Sequence, residues 1–292
     1  MKINNEPLRP IHLDDLPRYT NWPKRLLSLE SFSIKHKTAQ EVLREFNQDK
    51  WGQLLKQVRN MPKPTLDEVE CLLVDPNKLT PCYVEGRLYL ASEQRLLEMH
   101  LDLFESVLKP YLDSASCLVE LGAGYGSKLL ALAQREGFCK LPLYAAEYTN
   151  SGQELISILA SELSKTINVG YCDFREMTID NLRIPENALI FTSYAAHYVP
   201  VLSPDFVSFI SKLNPRAVVH FEPCYEHYSL DSFHGMMCRR YVELNDYTRN
   251  LASIFEVSED QGRISLRMQK NILGSNPFLP ISVIEWAPLK KD

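Results

Sequence analysis

Apolar residues recur at helical spacing through the first part of the chain, which reaches to about Asp113. In the segment 37–58 they stand three or four positions apart, and Thr38 occupies the place of an N-cap. The segment 64–75 repeats the pattern after a proline. We therefore expect a mostly helical N-terminal part, 1–113, that forms a cap or lid.

A short alternating segment and a long helix connect this part to the rest of the chain. Residues 82–91 alternate between apolar and polar and turn at Glu85-Gly86, which predicts a small β-hairpin. Residues 92–112 predict a long amphipathic helix with Ser92 as its cap.

From Cys117 onward, short apolar runs alternate with helical ones. The predicted strands are 117–121, 142–147, 167–172, 188–194 and 217–222. The helices that follow the first four strands are expected to begin near Gly124, Ser151, Asp173 and Pro204. This alternation predicts an open, doubly wound parallel sheet in a second domain, 114–292.

The end of this domain has a different pattern. A long helical stretch covers 229–256 and forms an insertion. Two strands, 263–272 and 280–288, then follow without a helix between them. We expect them to pair antiparallel and to close one edge of the sheet. The predicted fold class is α/β, with a Rossmann-like sheet, an antiparallel terminal strand pair and a helical N-terminal cap.

The strand 117–121 leads into a turn that contains Gly122, Gly124 and Gly126. Glycines there let the backbone approach a ligand closely, and doubly wound sheets bind ligands at the carboxyl ends of their strands. Glu147 ends the second predicted strand, 25 residues after the first glycine. An acid near that position accepts hydrogen bonds from ribose hydroxyls in nucleotide-type sites. Taken alone, the glycines also fit a tight strand-to-helix turn without a ligand.

The spacing of the glycines separates two ligand classes. A dinucleotide site would have its third small residue at Ser127, one position after the third glycine of this chain. The observed spacing resembles instead the first motif of class I S-adenosylmethionine-dependent methyltransferases. The resemblance covers residue 117 to the end, including "GYCDF" at 170–174 and the terminal strand pair. The motif is Glu120-x-Gly122-x-Gly124-x-Gly126.

This resemblance implies S-adenosylmethionine as the cofactor. The backbone near Gly122 and Gly124 would face its methionine part, and Glu147 would bind its ribose. Asp173 and Phe174 would frame its adenine. Asp173 fits the N-cap of a following turn equally well, and Phe174 fits core packing. The predicted cofactor-binding residues are Glu120, Gly122, Gly124, Gly126, Glu147, Tyr148, Asp173 and Phe174.

Polar aromatic residues and acids follow the fourth and fifth strands, in "TSYAAHYVP" (192–200) and "HFEPCYEHY" (220–228). Glu222 ends an apolar strand, where a carboxylate needs either solvent or a partner. A cationic substrate would be such a partner. Together with Glu226 it could hold a guanidinium by paired hydrogen bonds and free one nitrogen to attack. A salt bridge from Glu222 to Arg239 or Arg240 is the structural alternative, and His220 within the strand fits a core histidine.

Segments along the whole chain resemble a bacterial group of stand-alone small-molecule methyltransferases. That group includes the free L-arginine guanidino-N-methyltransferases of nitrosourea natural-product pathways. The resemblance implies methyl transfer to the guanidino group of free L-arginine. From their positions after the fourth strand, we expect His197 and Tyr194 to order the acceptor or to take its proton. The predicted catalytic residues are Glu222, Glu226, His197 and Tyr194. The segments are "PRYTNWPKRLL", "FNQDKWGQLL", "VELGAGYGS", "IFTSYAAHYVP", "HFEPCYEH" and "RRYVELNDYTRNL".

Other functions remain open at this point. An O-methyltransferase of a small phenol or carboxylate would use His197 as general base. A regulator or scaffold could bind the cofactor without catalysis. A loose C-x2-H-x6-H-x3-C string also has the ligand types of a zinc site, although the predicted chemistry needs no metal. Its members are Cys224, His227, His234 and Cys238.

Composition narrows the partners and the compartment. The net charge of −5, from 32 Lys+Arg and 37 Asp+Glu, argues against a nucleic-acid partner. The cysteine count of seven is odd and includes no CxxC pair, and the first residues lack the apolar core of a signal peptide. No apolar run reaches the length of a membrane span. We expect a cytoplasmic protein, monomeric or homodimeric, that binds a small molecule.

Overall fold

The computed structural model describes residues 7–289. Within them, α-helices cover both faces of one mixed sheet. The α-helices are α1 (Trp22–Leu26), α2 (Ala39–Leu43), α3 (Trp51–Val58), α4 (Leu66–Leu73), α5 (Glu93–Leu108), α6 (Ser127–Leu132), α7 (Asn150–Glu162), α8 (Phe206–Ser211), α9 (Phe233–Leu244) and α10 (Leu251–Asp260). A π-helical turn, Arg44–Lys50, joins α2 to α3 without a break. Short 3-10 helices are Leu13–Arg18, Lys109–Ser114, Phe138–Lys140, Ala196–Tyr198 and Tyr225–His227.

The described part of the chain forms an eleven-stranded sheet in the order β1-β3-β2-β10-β11-β9-β8-β4-β5-β6-β7 once its strands are numbered along the chain. The strands are β1 (Arg9–Pro10), β2 (Leu79–Val84), β3 (Arg87–Ser92), β4 (Leu118–Leu121), β5 (Leu143–Ala146), β6 (Ile167–Asp173), β7 (Thr178–Asp180), β8 (Leu189–Ser193), β9 (Ala217–Pro223), β10 (Ile264–Gly274) and β11 (Ile281–Pro288).

The parallel core of the sheet confirms the predicted fold class. Strands β6, β5, β4, β8 and β9 pair in parallel, in that order. The chain winds outward from β4 to β6 on one side and then from β8 to β9 on the other. The fold is therefore Rossmann-like, with its topological switch point between β4 and β8. The predicted terminal strand pair is confirmed, because β10 and β11 are antiparallel.

The prediction that this pair closes one edge of the sheet is wrong. The hairpin β2–β3 pairs with the end of β10, where Leu273 faces Val84, and β1 adds a further short strand. The hairpin itself is confirmed, and Glu85 and Gly86 both have positive φ at its turn, +42° and +89°. The N-terminal part thus contributes three strands to the sheet of the second part. The division into two domains at 113/114 stays a prediction. The first residues of the first domain, 1–6, and the last residues of the second, 290–292, lie outside the described residues.

The expected helix near Asp173 is also wrong. The chain turns back after β6, and β7 pairs antiparallel with it. Asp173 accepts a hydrogen bond from the backbone N–H of Arg175 at 2.8 Å. This is the local bond of a cap, but here it forms a turn between two strands, because no helical segment follows it.

Local signals placed most of the other helices correctly. Thr38 caps α2 by accepting from the N–H of Glu41, and Ser92 caps α5 in the same way through Arg95. The predicted helix 64–75 is α4, and Thr65 forms a capping box with Glu68 at its start. The stretch 229–256 is divided into α9 and α10 rather than continuous. No helix within residues 7–289 combines the length and the apolar character that crossing a membrane requires.

The longest helix, α5, packs on the sheet of the second part. Phe104 is fully buried, and its ring centroid lies 4.1 Å from that of Phe221 on β9. Leu108, one turn later, joins the same cluster. The side chains of α5 therefore complete the core on one face of the parallel strands.

Replacing Phe104 by Ala should lower the free energy of unfolding by about 3–5 kcal/mol, because it opens a cavity in this core. Urea unfolding followed by circular dichroism measures the change. Ser106→Ala, at an exposed position of the same helix, should alter the free energy of unfolding by less than about 0.5 kcal/mol. Equal effects of the two substitutions would contradict the role of α5 in the core.

Candidate functional site

A cavity of about 300 Å³ lies at the carboxyl ends of the parallel strands, beside the switch point. Its lining comes from the glycine turn after β4, from the ends of β5, β6 and β8, and from the segment α2–α3. Ligands of doubly wound sheets bind at this place. Among the predicted site residues, the lining includes Glu120, Gly122, Gly124, Glu147, Tyr148, Asp173, Phe174 and Tyr194.

The glycine turn brings the backbone close to the segment after β8. Gly122 has φ +73°, and a Cβ atom there would clash with the Cβ of Ala195 and press on the ring of Phe174. Any other residue type would therefore strain the backbone and push the two segments apart. Gly126, at φ +83°, caps α6 and packs against Ile156 outside the cavity lining. The glycines do two jobs, one at the cavity and one at the helix.

Glu147 is buried, and its carboxylate bonds both to the glycine turn after β4 and to Thr149 after β5. One carboxylate oxygen accepts from the N–H of Gly124 at 2.8 Å, and the other from the N–H and hydroxyl of Thr149 at 3.0 and 2.7 Å. Burial raises the pKa of Glu147 above that of an ordinary carboxyl, against the lowering effect of these bonds. The side chain is thus already oriented toward the glycine turn.

Glu120 lies at the end of β4 and is almost fully buried. Burial raises its pKa to about 8, although Lys128 and the N–H of Leu129 favour the ionised form. One oxygen of its carboxyl group accepts a hydrogen bond from the N–H of Leu129 at 3.2 Å. Glu120 is therefore a carboxyl that a cation in the cavity would convert to a carboxylate.

The part of the cavity at the ends of β5 and β6 is aromatic. Phe174 is nearly buried and packs edge-on against Phe206, 5.6 Å between centroids. Tyr148 and Tyr171 stand beside each other at 5.8 Å, and the hydroxyl of Tyr171 bonds to Asp173 at 3.4 Å. This end offers flat apolar surface next to a carboxylate, which suits a heteroaromatic ring that carries hydrogen-bond donors.

The segment α2–α3 covers the cavity from the N-terminal part. Phe46 and Trp51 belong to the lining, and their rings lie 5.7 Å apart around the π-helical turn. Asn47 in that turn bonds to the N–H and hydroxyl of Ser151 at 3.1 Å. Irregular helical turns of this kind are frequent at functional sites.

Glu222 lies at the end of β9, is fully buried and does not line the cavity. Its two oxygens accept from the backbone N–H groups of Ala195 and Ala196 at 2.9–3.1 Å and of His197 at 3.3 Å. The ring nitrogen Nδ1 of His197 adds a contact at 3.2 Å. The partner of this carboxylate is the backbone after β8, not a solvent-facing cation.

In the pair of His197 and Glu222, the histidine is neutral and the glutamate is ionised. Burial lowers the pKa of His197, although Glu222 opposes this. Burial raises the pKa of Glu222, but the bonds from His197 and from the backbone of Ala195 and Ala196 outweigh it and leave the carboxylate below its usual range. We infer a neutral imidazole that donates from Nδ1 to an ionised carboxylate.

The expected carboxylate clamp is not assembled. Glu226 bonds to Ser253, at the start of α10, through contacts of 3.2 Å, whereas Glu222 bonds to the segment after β8. Neither side chain belongs to the cavity lining. The alternative salt bridge of Glu222 is also wrong, because Arg239 donates to the carbonyl of Tyr228 and Arg240 pairs with Glu243.

His220 is a core histidine, as its position within an apolar strand predicted. Its Nδ1 lies 3.0 Å from the hydroxyl of Thr192, and Trp286 donates to its Nε2 at 3.0 Å. Burial lowers its pKa to about 4. Both ring nitrogens have protein partners, so this side chain has no atom left for a ligand.

The four residues of the loose zinc string do not form one cluster, although Cys238 contacts the ring of His234 at 3.7 Å. His227 contacts Ser282 at 2.8 Å, and His234 contacts the carbonyl of Pro277 at 2.7 Å. The thiol of Cys224 donates to Glu226. Within residues 7–289, no three side chains of the metal-binding types converge on one point.

Several lining residues were missed by sequence interpretation. Phe46, Lys50 and Trp51 lay in a predicted helix and in a quoted segment of the resemblance, but none was predicted as a site residue. Arg175 follows the predicted pair at the end of β6. Ser193 was within a quoted segment but not singled out, although its buried hydroxyl has no hydrogen-bond partner among residues 7–289. Polar or aromatic residues on an otherwise apolar helical face were the available signal for the first group.

Comparison with known proteins adds likenesses at low identity. No protein-family model and no curated protein sequence matches the chain. The magnesium protoporphyrin IX methyltransferase ChlM from Synechocystis PCC 6803 with bound SAH has 11% identity and a TM-score of 0.49, over 86% of this chain and 99% of that one. The small RNA methyltransferase HEN1 has 13% identity and a TM-score of 0.48, over 69% of this chain and 26% of that one.

A third similar structure is NcsB1, an O-methyltransferase from neocarzinostatin biosynthesis in complex with S-adenosylmethionine. It has 17% identity and a TM-score of 0.41, over 66% of this chain and 56% of that one. This chain spans about a quarter of the length of HEN1. The Rossmann-like fold of this chain is established by its own strand order.

Glu120→Gln should raise the melting temperature by several degrees at pH 9 and change it little at pH 4.5. The folded protein keeps the proton of Glu120 up to about pH 8, whereas the unfolded chain loses it above about pH 4.5. Stability therefore falls as the pH rises through this window, and glutamine, which cannot ionise, avoids the loss. Melting curves between pH 4.5 and pH 9 measure the difference in melting temperature between the variant and the wild type. Glu136→Gln, at an exposed position, is the control. A difference for Glu120→Gln that does not change with pH would refute the interpretation.

Glu222→Gln should lower the free energy of unfolding by about 1–3 kcal/mol and speed hydrogen exchange at the amides of Ala195–His197. The amide has one acceptor oxygen, and its NH2 group would face N–H donors. Denaturant unfolding and hydrogen exchange measure the two effects. Glu226→Gln should cost less, because Glu226 is only half-buried. Unchanged stability and unchanged exchange would show that Glu222 does not hold this segment.

Proposed function

We propose that the chain is an S-adenosylmethionine-dependent methyltransferase of class I that acts on a small molecule. One observation carries the proposal. The ends of β4, β5 and β6 place the glycine turn, Glu147 and the pair Asp173–Phe174 around a single cavity at the switch point. The order of these groups along the sheet is the order in which the methionine, ribose and adenine parts of the cofactor would lie.

Three features of this cavity suit the cofactor. Gly122 leaves room where a side chain would collide with Ala195. Ser193 has a buried hydroxyl that finds no partner in the described part of the chain, and a polar ligand could satisfy it. Glu120 has a raised pKa, and a ligand that carries an ammonium or sulfonium group would stabilise its ionised form. Each is a property of an apolar pocket with a few oriented polar groups.

In this proposal the residues of the chain bind and orient the reactants. Bound S-adenosylmethionine supplies an electrophilic methyl group. Glu147 accepts hydrogen bonds from ribose hydroxyls, and Phe174 packs on the adenine. Phe46 and Trp51 cover the cavity and exclude water from it. The protein contributes positioning, which is the main requirement of a transfer that needs the two reacting atoms in line.

The acceptor is a small molecule bound beneath the segment α2–α3. Free L-arginine remains the first acceptor to test, and its support is the resemblance along the whole chain. The two glutamates proposed to hold a guanidinium are bonded elsewhere, so they do not add to that support. O-methyl transfer with His197 as general base has no specific observation in its favour, because His197 is buried and outside the cavity lining.

Calorimetric titration should show that the purified protein binds S-adenosylmethionine, and Glu147→Ala should weaken binding at least about tenfold, the worth of a charge-assisted hydrogen bond. Glu162→Ala, at an exposed position near the end of α7, is the matched control and should bind as the wild type does. Absence of binding by the wild type would overturn the proposal.

The second step of the same experiment identifies the acceptor. Mass spectrometry would follow reactions with S-adenosylmethionine and a panel of free arginine, ornithine, lysine, histidine, methionine and small phenols. A product that has gained one methyl group assigns the acceptor class. Binding without a product from an extended panel would favour a cofactor-binding regulator over an enzyme.

A further inference from the structure

Tyr194 stands directly after β8 with an unusual backbone. Its φ is +50°, a left-handed conformation that costs a non-glycine residue about 1–3 kcal/mol and persists only where the surroundings enforce it. Its N–H donates to the carbonyl of Phe221 at 3.2 Å, and Glu222 holds the next residues. The strained backbone therefore fixes the direction of the Tyr194 side chain, and Tyr194 belongs to the cavity lining.

A histidine from the N-terminal part meets the hydroxyl of Tyr194. His100 on α5 is buried, and its Nε2 lies 3.3 Å from the phenol oxygen. Its Nδ1 lies 2.8 Å from the carbonyl oxygen of Leu96. A carbonyl only accepts, so Nδ1 carries the hydrogen. Burial lowers the pKa of His100 to about 4, so the ring is neutral near pH 7 and Nε2 is an acceptor.

This tautomer determines the direction of the phenol proton. Since Nε2 of His100 accepts, the hydroxyl of Tyr194 donates to it and turns its hydrogen away from other partners. Because the only hydrogen of the phenol is used, its oxygen can only accept further hydrogen bonds through its lone pairs.

The polarity of that oxygen matters for methyl transfer. A nucleophile attacks with a lone pair, so a group that donates to this lone pair suppresses the reaction. A group that only accepts binds the N–H or O–H of the nucleophile and leaves its lone pair free to point at the methyl group. An acceptor-only oxygen at the end of β8 has this property.

We propose that His100 is a positioning residue that keeps Tyr194 acceptor-only, and that Tyr194 orients a methyl acceptor bearing an N–H or O–H group. The inference rests on the proposed function and deepens it. It assigns a role to a side chain from the N-terminal part, and it narrows the acceptor to molecules whose attacking atom carries a hydrogen. Tertiary amines and thioethers fall outside this class.

A double-mutant cycle tests whether His100 acts through Tyr194. His100→Phe keeps the bulk and the packing on Phe104 but removes Nε2, and we expect about a tenfold loss in kcat/KM for the acceptor, the worth of one hydrogen bond. The same substitution in a Tyr194→Phe background should cost nothing further. Cofactor affinity should stay unchanged in His100→Phe, because His100 lies outside the cavity lining. Equal losses in both backgrounds would show that His100 acts on stability alone and would overturn the inference.

A spectroscopic arm decides the polarity without turnover. In ¹⁵N-labelled protein, the ring of His100 should show a protonated Nδ1 and an unprotonated Nε2 near pH 7, and Tyr194→Phe should shift the Nε2 resonance. A proton on Nε2 would overturn the inference. Where His100→Phe fails to fold, His100→Gln replaces it in the cycle. Absence of cofactor binding by the wild type refutes the proposed function, whereas binding with uncoupled variants refutes only the inference.

Discussion

The buried carboxylate of Glu222 determines the course of the chain at the switch point. Burying a charge without partners costs several kcal/mol, and here backbone N–H groups and His197 offset that cost. The bonds hold Ala195 against the glycine turn, which is why residue 122 has to lack a side chain. The position of Tyr194 in the cavity lining follows from the same anchor.

A second set of bonds joins the N-terminal part to this anchored segment. The guanidinium of Arg175 donates to the carbonyl of Lys37 and to that of Tyr198, both at 2.9 Å. Lys37 is itself buried, pairs with Glu45 and lies over the ring of Tyr198. One arginine, two residues after β6, therefore links the chain just before α2 to the loop after β8, beside the cavity. The cavity is built by both parts of the chain.

Local sequence patterns predicted much of the fold, but they did not predict the pairing of strands that are distant in the chain. Alternation and caps such as Thr38 and Ser92 depend on a few neighbouring residues, so they predicted the elements well. The pairing of β2 with β10 joins distant segments and has no local signal. Glu222 shows the same limit in the site, because an acid at the end of an apolar strand has the same pattern whether its partner is a substrate or the backbone. The positions of the glycine turn and Glu147 at the cavity were predictable, because each directly follows a parallel strand and the carboxyl ends of these strands meet at one edge of the sheet.

The pairing of β2 with β10 has a consequence for how the molecule is made. Residues 85–272 lie between Val84 and its partner Leu273, so the hairpin leaves the ribosome long before the strand that it borders. Until then the β2 edge of the hairpin is unpaired and able to join other chains. Parallel strands with distant partners also form slowly. Aggregation of the nascent protein, rather than loss of its finished fold, is therefore the hazard that a chaperone would have to counter during synthesis.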